Sequence, residues 1–231
     1  MLFLRFSLAG PLQSWGPPSP WDVKTTYMMP TKSGIVGLIS ACFGYRRGDP
    51  RIQELFDGLQ MAVRADRPGS LIEDYQSIHS NKPYMVSASG TKRSSPKAGA
   101  ATSIVVRKHY IQDARFTVFL SGREELLRSI SKAMKAPVFL MYLGRKTCVP
   151  TEPIVPEMIE AKNIYEALRI FTDKDRMEMG DSRYVQVEVD APAGVKNSLA
   201  KRIVMKRDRV VNGCRGNNYV TRKVATYYVD M

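Results

Sequence analysis

The chain has 231 residues, 44% of them hydrophobic, and 35 Lys and Arg against 22 Asp and Glu give a net charge of +13. That suits a globular protein of one large or two small domains, and no apolar run approaches the roughly 18 residues of a membrane helix. So basic a chain is matched to a polyanion, nucleic acid above all, because solubility alone needs far less charge.

Residues 2–8 alternate, with Leu2, Leu4, Phe6 and Leu8 on one side and Phe3, Arg5 and Ser7 on the other. This period of two predicts a strand with one buried face and one face that can meet a ligand. The loop Gly10–Gly16 (GPLQSWG) and a Pro-rich gap follow, and Pro30-Thr31-Lys32-Ser33-Gly34 opens a helix. Ile35, Val36, Leu38, Ile39, Cys42 and Phe43 recur at helical spacing, with Thr31 or Ser33 as the cap and Gly44 as the stop. A helix start carrying Lys32 is suited to an anion, because its first amides lack internal partners and the helix dipole is positive there. Those four residues (TKSG) alone favour an ordinary capped helix entry, and the pattern is not a P-loop.

Residues 51–57 read as a short helix and 59–67 as a second strand. Residues 80–101 lack either periodicity, and between Lys82 and Lys108 there are cations and no acid. The flanking stretches 74–79 and 103–110 are strand-like. We expect a long β-hairpin spanning 75–110, with a basic, mobile tip at about 89–99 that carries Lys92, Arg93 and Lys97. Residues 116–121 read as a strand, 123–135 as a helix with an apolar stripe, and 138–143 as a buried strand between Pro137 and Gly144. Gly144-Arg145-Lys146-Thr147 suits either close contact with phosphates or an ordinary turn.

The order β-α-β-hairpin-β-α-β predicts an α+β, ferredoxin-like or RRM-like domain over residues 1–150. In such folds the free sheet face and adjoining loops bind single-stranded RNA. Three prolines mark a boundary near 150, and 151–231 reads as a small, mainly β region. It has a short helix within 163–171 and strands at 184–189, 202–205 and 220–228. Its basic stretch 196–209 is a solvated β-surface or a second RNA or protein contact.

Several stretches, in order, resemble one family. They are the loop AGPLQSWG (9–16) with the helix PTKSGIVGLISACFG (30–44), then Asp74-Tyr75-Gln76 after the second strand. Arg107-Lys108-His109-Tyr110 with Asp113-Ala114-Arg115-Phe116-Thr117-Val118 follows, and then Tyr142-Leu143-Gly144-Arg145-Lys146-Thr147-Cys148. Together they resemble the Cas-five family of CRISPR-associated proteins, of the RAMP superfamily, and in particular its type I-E branch in the effector complex called Cascade. The resemblance covers residues 2–150.

It implies a non-catalytic subunit that caps the 5′ handle of the CRISPR RNA, contacts the backbone and large subunits, and meets target DNA only through the complex. It also implies that the hairpin is a projecting thumb. The candidate RNA contacts are Arg5 on the first strand, Gln13, Ser14 and Trp15 in the loop, and Lys32 and Ser33 at the helix start. Tyr75, His79, Arg107, Lys108 and His109 at the hairpin's foot join them, as do the three tip cations and Gly144, Arg145 and Lys146. Trp15 and Trp21 suit stacking on a base or contact with a partner, with packing in the core as the alternative for Trp15.

Some relatives cut precursor RNA without metal, which needs a base, an acid and a cation. His79, His109, Tyr75 and Lys108 are the residues such a ribonuclease would use here, and this is the alternative to a structural role. A free-standing RNA-binding protein fits the hairpin and the GPLQSWG loop less well. No metal or cofactor is expected, since there is no His-x-x-x-His pairing and no Cys/His cluster. The scattered cysteines Cys42, Cys148 and Cys214 suit reduced thiols in a cytoplasmic protein, and Arg5 breaks the first apolar run, so no signal peptide is expected.

Overall fold

β1 (Leu2–Ala9) runs inside a seven-stranded sheet and is covered on both faces. The structure, a computed structural model, describes residues 1–17, 19–20, 22–80, 84–86, 90, 92–94, 102–180, 184–190, 202–210 and 219–230. Leu4, Phe6 and Leu8 are buried against the helices of one layer, and Phe3 and Arg5 are buried behind them. The short β2 (Leu12–Gln13) and β3 (Val23–Lys24) lead to α1 (Lys32–Phe43). Thr31 caps α1, its hydroxyl accepting from the Gly34 N–H at 3.3 Å. α2 (Arg51–Gly58) and β4 (Gln60–Arg67) complete the first half.

β5 (Ser70–Ser80), β6 (Tyr84–Val86), β7 (Lys92–Ser94) and β8 (Thr102–Gln112) follow. β5 and β8 form one long antiparallel ribbon, from Ser70 opposite Gln112 to Ser80 opposite Thr102, and β6 pairs with β7. Of the basic tip, Lys92 and Arg93 lie on β7, while Lys97 is outside the described residues, as is Trp21 of the first loop. β9 (Arg115–Ser121) returns to the main sheet, and α3 (Glu124–Lys135) packs beside α1.

β10 (Glu157–Glu160), α4 (Ile164–Ala167), α5 (Asp173–Met179), β11 (Tyr184–Asp190), β12 (Arg202–Val210) and β13 (Tyr219–Asp230) complete the chain. The main sheet has the order β10-β1-β9-β4-β11-β13-β12, and every pairing in it is antiparallel. It runs on past residue 150, since β11 pairs with β4. No helix among the described residues is long and apolar enough to cross a membrane.

The run 138–143, read as a buried strand, is irregular instead. β10 takes the outer edge of β1, so the run has no strand to pair with. The Val138 and Phe139 amides donate to Cys42 and Ala41 carbonyls at 3.0 and 3.1 Å, satisfying the end of α1. Leu143 is buried, but Val138, Phe139 and Leu140 are exposed.

The second sheet face, expected to be open to RNA, is covered as well. Phe3, Ala62 and Phe119 on that face pack with Ala167, Leu168 and Met179 from the α4–α5 segment. Burying such an apolar side chain contributes roughly 1.5–3 kcal/mol for a large residue. This explains why the "polar" side of β1's alternation carries Phe3.

Candidate nucleic-acid interface

Three of the sequence motifs meet. The Gly10–Gly16 loop is pinned from below by Gln13, whose Nε2 donates to the carbonyls of Ala114 (2.8 Å) and Leu8 (3.2 Å). Its Oε1 accepts from Trp15 Nε1 at 3.1 Å. The Trp15 ring is 1% exposed and forms the floor under the start of α1; a Cβ on Gly34 would lie 2.8 Å from its Cε3.

The turn after residue 142 locks onto the same loop. Ser14 N–H donates to the Leu143 carbonyl at 3.1 Å. Leu143 N–H donates to Cys148, and Cys148 N–H to Arg145, each at 2.8 Å, so the turn closes on itself. Gly144 has φ 90°, and a Cβ there would sit 1.8 Å from the Ser14 carbonyl oxygen. Only glycine permits both the conformation and the approach.

A cleft of about 250 Å³ opens where these pieces join, lined by Ser14, Gly16, Pro17, Ser19, Lys24, Thr25, Ser33, Gly144, Arg145 and Arg207. A second of about 210 Å³ adjoins it, between the Trp15 loop, Thr31–Gly34 and Tyr142. Three cations and several hydroxyls line the first and, among the described residues, no carboxylate does. Arg145 is held rigid: it donates to the carbonyls of His109 (3.2 Å) and Lys24 (3.0 Å), and its guanidinium lies 4.8 Å from the Tyr110 ring centroid. Lys146 is exposed beside it. Such a surface offers fixed cations, hydroxyl donors and close backbone approach, which is what a phosphodiester chain uses.

The ribbon's foot rises from this cleft, with β3 pairing with β8 at Arg107 and Lys108. On one ribbon face Glu73 meets His109 Nε2 at 3.3 Å, Arg107 lies 5.9 Å from the exposed Tyr75 ring, and His79 Nδ1 shares a hydrogen with Ser103 at 2.8 Å. On the other, Lys108 Nζ donates to Gln76 at 2.6 Å.

The remaining candidates lie elsewhere. Gln13 and Trp15 are buried as frame, with no surface left for a base. Lys32 is buried: Nζ donates to the Leu59 carbonyl at 2.6 Å and pairs with Asp190 at 3.0 Å. The helix start expected to attract an anion is filled from within, since Lys32 N–H donates to Asp208 Oδ2 at 2.9 Å, and Arg222 holds Asp208 there at 2.7 Å. Arg5 faces the covered side of the sheet and pairs with Glu157 at 2.8 Å and with Asp175.

Arg64 joins that network, meeting Asp66 at 2.5 Å and Asp175 at 2.8 Å. Burial works against Asp175, but Thr172 and the guanidiniums of Arg5 and Arg64 outweigh it and hold its carboxyl below the usual range. For Asp66 burial wins over Arg64 and Thr117 and pushes the carboxyl up. A cleft of about 420 Å³ on this face is lined by Arg5, Arg115, Lys174 and their partners Glu152, Glu157 and Asp175, so its charges are already matched.

Lys24, Thr25 and Arg207 were missed as cleft residues. Arg207 lies in the basic stretch 196–209, whose role the sequence left open. Lys24 and Thr25 reach the cleft through the β3–β8 pairing, which leaves no local signature.

A family model described as CRISPR-associated protein (Cas_Cas5) matches residues 3–209. The chain is 31% identical over 171 residues to the CRISPR system Cascade subunit CasD of Escherichia coli strain K12, covering 72% of this chain and 75% of that one. A solved CRISPR RNA-guided surveillance complex contains a chain with TM-score 0.70 and 26% identity, covering 100% of this chain and 90% of that chain. A crystal structure of a Cas protein superposes with TM-score 0.62 at 24% identity over 99% of this chain and 95% of the other, which shows a shared fold.

Proposed function

The chain belongs to the Cas5 family of CRISPR-associated proteins, and from that premise we propose that it is a non-catalytic subunit of a type I-E Cascade effector complex. In this reading it binds and caps the 5′ handle of the CRISPR RNA, seats the backbone and large subunits beside it, and works in the cytoplasm. The observation that carries this reading is the carboxylate-free cleft with Lys24, Arg145 and Arg207 where three motif loops interlock. Strand order β10-β1-β9-β4 with α1 and α3 on one face supports a ferredoxin-like core. The long β5–β8 ribbon at the cleft supports a thumb.

The geometry favours holding RNA over cutting it. His79 and His109 belong to cross-strand pairs six positions apart on β5, about 20 Å at the usual strand rise. Lys108 faces the opposite side of the ribbon from both. One phosphodiester cannot be served by base, acid and cation so spaced.

The test is RNA binding and cleavage by the purified chain. Binding of the handle RNA falls steeply with salt, and replacing Lys24 and Lys146 by Ala lowers the log–log salt slope by about one per residue. No specific cut appears in precursor RNA. Site-specific cleavage lost in His79→Ala or His109→Ala overturns the reading, as does an unchanged salt slope.

A further inference from the structure

β5 has one partner strand, so its other edge is open among the described residues. Which of its groups face that edge follows from β8. The Arg107 N–H donates to the Asp22 carbonyl at 2.8 Å, on the β3 side. Arg107 therefore makes no ladder bond to Tyr75 opposite it, and in an antiparallel pair such a residue's partner also points its N–H and C=O outward. By the period of two, Leu71, Glu73, Tyr75, Ser77 and His79 all present free backbone groups to the open edge. Their side chains share one face and are exposed.

The two limbs of the ribbon carry opposite charge. β8 brings Arg107, Lys108 and His109 and is flanked by β2 and β3, which lead to the cleft. β5 carries Glu73 and Asp74 and, in a chain of net charge +13, no Lys or Arg. Its open edge points away from the cleft. An RNA strand there would meet the carboxylates of Glu73, beside His109, and of Asp74, which accepts from Gln76; a polypeptide would meet unpaired amides, carbonyls and the exposed Leu71 and Tyr75 side chains.

We propose that the outer edge of β5 accepts an extended strand from a neighbouring protein subunit, with Lys or Arg opposite Glu73 and Asp74 and an apolar side chain beside Leu71 and Tyr75. This rests on the assembly reading above. The ribbon then divides its work, its basic limb following RNA and its acidic limb pairing with protein. Main-chain bonds supply affinity and the two carboxylates choose the partner.

Residue-resolved hydrogen exchange on the free chain, the chain with CRISPR RNA alone, and the reconstituted complex tests it. In the free chain the Ile72, Asp74 and Gln76 amides, bonded to β8, are protected, while those of Glu73, Tyr75 and Ser77 exchange fast. In the complex the second set slows by at least about tenfold; RNA alone leaves it fast. Ser77→Pro removes an outward N–H and spares the ladder to β8, so the fold survives. It weakens recovery of the neighbouring subunit by about tenfold, roughly the loss of a strand bond and its neighbours' geometry. Protection by RNA alone, fast exchange in the assembled complex, or normal assembly of Ser77→Pro each overturns the proposal. Recovery of no complex at all, even with the unaltered chain, is a separate failure that removes the assembly reading and this inference with it.

Discussion

Replacing Gly144 by Ala tests whether the motif loops hold one another. Two costs add. A side chain at φ 90° costs about 1–2 kcal/mol. A Cβ 1.8 Å from the Ser14 carbonyl oxygen has no flexible neighbour to push aside, so the turn must move by more than 1 Å. That movement breaks the Ser14–Leu143 bond, worth about 1 kcal/mol, and loosens the buried Leu143. The sum is about 3 kcal/mol. For a chain of this size each kcal/mol shifts Tm by roughly 2–4 °C, so Tm falls by about 6–12 °C. Gly90→Ala is the control: its φ is 80°, and a Cβ there meets nothing within 4 Å, so it carries the conformational cost alone. Differential scanning calorimetry gives both values, and filter binding well below Tm gives RNA affinity, which falls about tenfold for Gly144→Ala because a wall of the cleft has moved. Equal Tm losses in the two variants would refute the interlock. A large Tm loss with unchanged affinity would refute the cleft as the RNA site.

Trp15→Ala costs about 3–5 kcal/mol in chemical denaturation, as expected for a buried aromatic, and leaves the affinity of the folded fraction within about twofold. A stable variant that no longer binds RNA would show that the ring stacks on a base. Acid stability follows Asp175 and Glu152, both held below the usual carboxylate range. Their contribution is present above the unfolded value, about pH 4, and is lost as pH falls through their lower folded values, while Asp66, pushed up, contributes with the opposite sign. Denaturation midpoints between pH 2 and 6 therefore drop less steeply in Asp175→Asn, and a parallel acid limb would contradict this.

What was legible in the sequence was local. Period-two patterns pointed to β1 and β4, the strand-like run 116–121 to β9, and the helical stripe and Thr31 cap to α1. Strand-like stretches flanking a polar gap pointed to two limbs, and β5 and β8 pair along them. The failures share one cause, which is competition for a partner. Val138–Leu143 has a strand's composition, but β10 occupies the edge it needed. Lys32 and Arg5 have the chemistry of phosphate ligands, but Asp190, Asp208, Asp175 and Glu157 reach them from 152 or more residues away. Nothing near Lys32 in the sequence announces Asp208. The cleft was half legible: Ser14, Ser33, Gly144 and Arg145 stood in the motifs, whereas Lys24 and Arg207 arrive through strand pairing.

Those internal pairs also bear on the proposal that RNA lies in the cleft at the ribbon's foot. The 420 Å³ cleft is the larger, but each of its cations already faces a carboxylate. A phosphate entering there must compete with Glu152, Glu157 or Asp175, and where it parts the buried Arg5–Asp175 pair the cost is about 3–5 kcal/mol. Removing Asp208 from the start of α1 would likewise free the Lys32 N–H and leave Arg222 with Asp190 alone. The smaller cleft is lined by Lys24, Arg145 and Arg207 and, among the described residues, by no carboxylate. Arg145 is already held by backbone carbonyls, so little ordering entropy is spent when the ligand arrives. Asp190 and Asp208 thus do two things at once. They tie β11 and β12 to the start of α1, and they fill its basic position, as Glu152, Glu157 and Asp175 fill the larger cleft, which leaves the cleft at the ribbon's foot as the proposed RNA site.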